Sequence, residues 1–241
     1  MTQPTHIQSA GRGPIAVVVA MQKELDLLLP LIDGRCDITS EEGNIYHTGS
    51  IDGKPVVATR CGIGKVNAAL AADELIRRFS PEVVINSGVA GGTGHGASVL
   101  DIVVGDEIAY HDVWCGPGTE PGQAAGAPLR FRSDRRLVES EALKGNPRIK
   151  HGLICSGDIF VSRKEEVDRI SAVFPDVKAV DMESAAIAHT CHKRGVPFFC
   201  LRVVSDTPGA ADNIGQYENF WDDAPRSTFE SLSALIAGFE A

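Results

Sequence analysis

The chain has 241 residues, 43% hydrophobic and 23% charged, the ordinary composition of a globular protein rather than a disordered one. Its formal net charge of −9 argues against a nonspecific nucleic-acid or anionic-membrane surface. No apolar run approaches the roughly 20 residues that span a bilayer. The six cysteines, at 36, 61, 115, 155, 191 and 200, are scattered without a CxxC pair. They read as reduced thiols of a cytoplasmic protein.

Residues 1–13, "MTQPTHIQSAGRG", are polar, lack the apolar centre of a secretory signal, and read as a disordered tail. "PIAVVVAM" is a continuous apolar run, hence a strand buried on both faces. "KELDLLLPLI" follows as a short helix. "GNIYHTGSI" and "KPVVATRC" form a hairpin around "DG". "VNAALAADELIRRF" is an amphipathic helix, "EVVINSGVA" a buried strand ending in glycines, and "DIVVGDEIAYHDV" a long strand. "CGPGTEPGQAAGAPLRF" is the longest loop-like stretch, and loops of that length are usually functional or disordered. Beyond it come the strand "HGLICSGDIFV", the helix "KEEVDRISAVF", the strand "VKAVDM", the helix "ESAAIAHTCHKRG", the strand "PFFCLRVVSD" and a terminal helix within "RSTFESLSALIAGF". This alternation predicts one three-layer α/β domain over residues 14–241, a central mixed, largely parallel twisted sheet flanked by helices.

Ligands of open α/β sheets bind beyond the C-terminal ends of the strands. There the sequence places Met21 and Glu24 after the first strand, the "GVAGG" turn after "EVVINS", and Phe160 and Val161 after "HGLICSGD". Asp181, Met182 and Glu183 follow "VKAV", and Arg202, Ser205 and Asp206 lie in or after "PFFCLRVV". Carboxylates beside an apolar wall of thioether and aromatic groups suit a flat heterocycle joined to a sugar. An ionised Glu183 can accept hydrogen bonds from two ribose hydroxyls, and Met182 and Phe160 can cover the apolar faces. Taken singly, Glu24 reads first as a first-turn helix acid, and Asp206 equally as a turn residue before Pro208. Arg202 is harder to set aside, because an unpaired charge inside an apolar strand is costly. "GIGK" at Gly62–Lys65 lacks the spacing and the hydroxyl residue of a phosphate loop.

The stretches "IAVVVAMQKEL", "GIGKVNAALAADELI", "VVINSGVAGG", "DIVVGDEIAYHD", "GLICSGDIF", "AVDMESAAIAHTCHKRGVPF" and "LRVVSD" occur in this order from Ile15 to Asp206. In them the chain resembles bacterial methylthioadenosine/S-adenosylhomocysteine nucleosidases, of the purine nucleoside phosphorylase-like superfamily. The resemblance implies cleavage of 5′-methylthioadenosine, S-adenosylhomocysteine and 5′-deoxyadenosine to adenine and the free ribose derivative. It implies Glu24 as the group that activates water and Asp206 as the acid that protonates the purine. Glu183 would hold the ribose hydroxyls, Met182 pack on the sugar, and Ser205 and Arg202 support the site. Phe160 would stack on adenine and the Val161 backbone bind its edge. Gly91, Met21 and Ile63 complete the implied substrate-binding set. A homodimer is implied as well, with the 114–130 loop near the pocket for the 5′ substituent. The chain departs from the family in having Val89 where serine is frequent, Asp181 where Glu is common, and its own version of that loop.

The chemistry stands beside the analogy. Adenine leaves poorly as an anion, so an acid must share a proton with N7, and a partly buried carboxyl can do so at neutral pH. A base must then aim water at the sugar cation. Neither step needs a metal or organic cofactor, and no binding motif for one is present. Against the hydrolase stand a phosphorylase, a futalosine-type nucleoside hydrolase with a bulkier 5′ group, and a nucleoside-binding protein without catalysis.

Overall fold

The computed structural model describes residues 13–223 and 225–240. The tail expected over residues 1–13 therefore lies outside the described residues except for Gly13. In chain order the elements are β1 Ile15–Val19, α1 Gln22–Leu28, β2 Asp33–Thr39, β3 Ile45–Ile51, β4 Lys54–Arg60, α2 Lys65–Phe79, β5 Val83–Gly92 and β6 Ile102–Tyr110. They continue as β7 Phe131–Arg132, α3 Arg135–Val138, β8 Ile149–Ser156, α4 Lys164–Val173, β9 Val177–Asp181, α5 Ser184–Arg194, β10 Phe198–Asp206, α6 Asn213–Asp223 and α7 Pro225–Ala237.

Alternate residues of the central strands feed two apolar layers. Val18 of β1 and Val84 of β5 pack with Ala68, Ala72 and Leu75 of α2 and Ala185 and Ala188 of α5. Val17, Val19, Val83 and Ile85 face the other way, onto Leu25 and Leu28 of α1 and Phe229, Leu232 and Leu235 of α7. This is the three-layer arrangement expected of continuous apolar strands with helices on both sides. The β3–β4 hairpin turns at Asp52 and Gly53, both at positive φ (48° and 76°), as a two-residue turn of matching twist requires.

The sheet is mixed. Among the described residues five strand pairings are parallel and five antiparallel. It also departs from an open sheet, because β5–β10–β6–β8–β9 closes back onto β5. One edge of β5 pairs with β10 from Val84 to Gly91. The other edge pairs with β1 as far as Asn86 and with β9 only from Gly91. Between those two partners the backbone of β5 is left open, and the C-terminal ends of β1, β9 and β10 converge there. Strand β2 was not legible in advance: all seven of its residues are exposed, so an edge strand held by backbone hydrogen bonds shows no apolar period. Among the described residues no helix is long and apolar enough to cross a membrane.

Candidate active site

Glu24 fills the opening in β5. It stands in the first turn of α1, only 1% exposed. Oε2 accepts the backbone N–H groups of Ala20 and Met21 at 2.8 and 2.9 Å. Oε1 accepts the Val89 N–H of β5 at 3.0 Å. Glu24 is thus both the helix-capping acid and a group of the site. Burial pushes its carboxyl above the usual range, while Arg202 and the three N–H donors oppose this. Once ionised it is a stronger base than a solvated glutamate. The close approach depends on Gly88, which has a φ of 146°. A Cβ there would come within 2.5 Å of Arg202 Nη1 and closer still to Glu24 Oε1.

Arg202, in β10 and fully buried, has the carboxylate partner that its position requires. Its Nη2 lies 2.7 Å from Asp181 Oδ2 and donates to Asn86 Oδ1 at 2.7 Å. Asp181, the last residue of β9, also accepts the hydroxyls of Ser156 and Ser184. Glu183 follows at the start of α5. Its Oε1 accepts the Gly64 N–H at 3.0 Å and its Oε2 faces Arg202 Nη2 at 3.4 Å. "GIGK" therefore serves as a backbone donor to this carboxylate rather than as a phosphate loop. Burial raises the Glu183 pKa against the pull of Arg202.

Asp206 ends β10 where a register shift between Val204 and Asp206 re-aims the strand. It is 2% exposed, and burial raises its carboxyl while Ser205 and Asn213 oppose. Ser205 Oγ donates to Oδ1 at 2.6 Å, and Asn213 Nδ2 donates to Oδ2. The two acids differ in kind. Every partner of Glu24 is a donor only, whereas the hydroxyl and amide at Asp206 can each donate or accept.

These groups border one cleft. The structure brings all eleven candidate residues onto its wall: Met21, Glu24, Ile63, Gly91, Phe160, Val161, Met182, Glu183, Arg202, Ser205 and Asp206. Gly91 is held to a bare backbone, since a Cβ would stand 2.9 Å from Pro208 Cγ. Helix α6 was missed by sequence reasoning, and with it Tyr217 and Asn213. Tyr217 lines the cleft, meets Phe160 edge-on at 5.6 Å and donates its hydroxyl to Met21 Sδ at 3.3 Å. The spacing of Ile214, Tyr217 and Trp221 carried the helical signal, diluted by polar neighbours. Among the described residues no three His, Cys, Asp or Glu side chains form a metal-holding group.

Residues 14–237 match the model of the phosphorylase superfamily. The chain is 42% identical to the 5′-methylthioadenosine/S-adenosylhomocysteine nucleosidase of Lysinibacillus sphaericus (strain C3-41), over 92% of this chain and 99% of that protein. The crystal structure of the enzyme of that name from Neisseria meningitidis, in complex with methylthio-immucillin-A, matches with a TM-score of 0.87 and 37% identity, covering 94% of this chain and 99% of that one. The native futalosine hydrolase of Helicobacter pylori strain 26695 matches with a TM-score of 0.85 and 26% identity, covering 94% and 98%. On the extent of these matches, the chain belongs to the 5′-methylthioadenosine/S-adenosylhomocysteine nucleosidase family of the phosphorylase superfamily.

Proposed function

We propose that the cleft hydrolyses the N-glycosidic bond of 5′-methylthioadenosine and S-adenosylhomocysteine, and of 5′-deoxyadenosine, which keeps the same base and sugar. Asp206 gives its proton to purine N7 as the bond to C1′ breaks, and the bonding pair leaves with adenine. Glu24 takes a proton from water as the water oxygen bonds to C1′. Glu183 accepts the ribose hydroxyls, Met182 covers the sugar, Phe160 stacks on the base, and the Val161 backbone meets its edge. Met21, Ile63 and Gly91 shape the wall, and Arg202 and Ser205 hold the carboxylates.

The observation that carries this reading is the pair of unlike acids on one cleft wall. Glu24 is surrounded by fixed donors that favour its anion, and Asp206 by groups that tolerate its acid form. The same geometry favours water over phosphate. Glu24 already occupies the N–H groups of Ala20, Met21 and Val89, so an anion entering there meets a like charge and three donors already in use. The test incubates the protein with methylthioadenosine, with and without phosphate, and identifies the sugar. Free methylthioribose formed at the same rate in both supports hydrolysis, and a sugar 1-phosphate overturns it. Cleavage of futalosine in place of methylthioadenosine would reassign the substrate.

The assembly we propose is a homodimer in the cytoplasm. Ile63, Val66, Leu70 and Trp114 are exposed apolar side chains, between 52% and 69% accessible, of the kind that interfaces cover. All six cysteines are unpaired, which suits a reducing compartment. Sedimentation at micromolar concentration should give a dimer, and a fully active monomer would sink the idea.

A further inference from the structure

We propose that Asn213 is a positioning residue for the acid, its side-chain amide turning over to meet either protonation state of Asp206. The inference rests on the reading of Asp206 as the proton donor to the purine. A buried donor must be satisfied twice, as a carboxylic acid before the transfer and as a carboxylate after it. An O–H or a charge left without a partner in such a place is costly. An amide answers both needs on one rotation, because Nδ2 donates to the carboxylate and Oδ1 accepts from the acid.

Three observations point to this role. Asn213 opens α6, is 4% exposed, and its amide meets Asp206 Oδ2. Its Oδ1 has no hydrogen-bond partner among the described residues. A buried amide is normally held in one orientation by partners at both ends, but among the described residues this one meets Asp206 alone. Its backbone is fixed independently, with the Asn213 N–H on Ala210 O at 3.3 Å and the helix tied to the strand end by Gln216 Oε1 accepting the Thr207 N–H at 2.9 Å. On the other oxygen of Asp206, Ser205 Oγ also lies 3.3 Å from Ala90 O. That hydroxyl can swing its proton away and become an acceptor. The arrangement seen here, with Nδ2 on Asp206 Oδ2, is the one that serves the carboxylate. When Asp206 is protonated the amide turns Oδ1 to accept the acid's O–H, and as that O–H turns to N7 and gives up its proton, Nδ2 returns to the carboxylate.

The test uses two variants and two leaving groups. Release of adenine needs the acid, while release of nitrophenolate from a matched 5-methylthioriboside does not, because that anion is already stable. Asn213→Leu removes both ends of the amide. It should lower kcat for adenine release tenfold or more, a share of the roughly hundredfold to ten-thousandfold that general acids supply, and leave nitrophenol release within about twofold. Asn213→Asp keeps an acceptor and forms a carboxyl pair that shares one proton. It should stay within about tenfold of the parent on adenine release, with the basic limb of its pH profile moved to higher pH. The other ionisable groups of the cleft, Glu24, Asp181, Glu183, Arg202 and Tyr217, are the same in every variant. The inference is overturned if Asn213→Leu spares adenine release, if it depresses both leaving groups equally, or if Asn213→Asp is as damaging as Asn213→Leu. Asp206→Asn run beside them tests the underlying reading separately. Should it slow both leaving groups alike, Asp206 is not the acid. Should it separate them while Asn213→Leu does not, only the role of Asn213 falls.

Discussion

Arg202 Nη2 stands 2.7 Å from Asp181 Oδ2, and neither side chain is more than 2% exposed. This ion pair lies beneath the cleft, and the same guanidinium reaches Glu183 Oε2 and Asn86. Replacing Arg202 by Met keeps the volume and removes the charge. Asp181 is then buried with the hydroxyls of Ser156 and Ser184 and the Ser184 N–H but no countercharge, and Glu183 loses its countercharge too. Breaking such a pair from one side typically costs about 3–5 kcal/mol, and the hydroxyls place this case near the lower end. Urea unfolding of Arg202→Met should show a loss of that size. A loss under about 1 kcal/mol would mean that the pair is not a structural requirement.

Gly88 gives a second prediction. Its φ of 146° and the crowding of its missing Cβ against Glu24 and Arg202 make Gly88→Ala unfavourable in both conformation and space. The added methyl must push Glu24 off the Val89 N–H. We expect at least a hundredfold fall in kcat, in line with the loss of a positioned base, with a smaller decline in melting temperature. Near-parental kcat would show that the Glu24–Val89 contact has no bearing on turnover.

Much of this was legible before the structure, for definable reasons. The strands β1, β5 and β10 announce themselves because both faces are buried and every residue is apolar or nearly so. The site residues sit where those strands end, so the rule that ligands bind beyond strand ends located Glu24, Glu183 and Asp206 together. What stayed hidden depends on long-range pairing. Nothing in "VVINSGVAGG" states that β5 changes partner from β1 to β9 between Asn86 and Gly91, yet that change opens the backbone for Glu24. Asn213 and Tyr217 were missed because α6 has a weakly apolar face and directly follows a turn. Asp181 read as an anchor of its turn, and it is one through Ser184, but its pairing with Arg202 joins residues that the sequence keeps apart.

The ribose clamp is tested by Glu183→Gln. Gly64 donates to Oε1 and Arg202 faces Oε2, so an amide must turn its NH₂ toward a donor or toward the sugar. A mismatched buried polar pair costs roughly 1–3 kcal/mol, more for charged groups, which is about tenfold to a hundredfold in kcat/KM at 1.4 kcal/mol per decade. The loss should shrink for a substrate lacking the 2′-hydroxyl, because part of the contact is already gone. Equal losses on both substrates would place the clamp elsewhere.

The unlike surroundings of the two acids also predict opposite effects on stability. Burial raises the Asp206 pKa above its ordinary value. The native state therefore holds a proton that the unfolded chain releases. Stability falls as pH rises from the ordinary aspartate range, about 3.9, to the raised native value, and the deficit persists in full at higher pH. Asp206→Asn carries no ionisable group, and Ser205 and Asn213 can both adjust to an amide, so the variant should be more stable than the parent at neutral pH. Each kcal/mol released raises the melting temperature of a chain this size by about 2–4 °C, and the gain should vanish as the pH drops below the ordinary aspartate range. Glu24 also has a raised pKa, but its three partners are N–H donors that cannot turn over. Glu24→Gln must set its NH₂ against at least one of them, so it should gain nothing and fall below the parent. Melting temperatures of the three proteins between about pH 4 and about pH 8 decide the matter. If Asp206→Asn tracks the parent throughout, Asp206 is ionised in the native site at no cost and is not poised to give a proton.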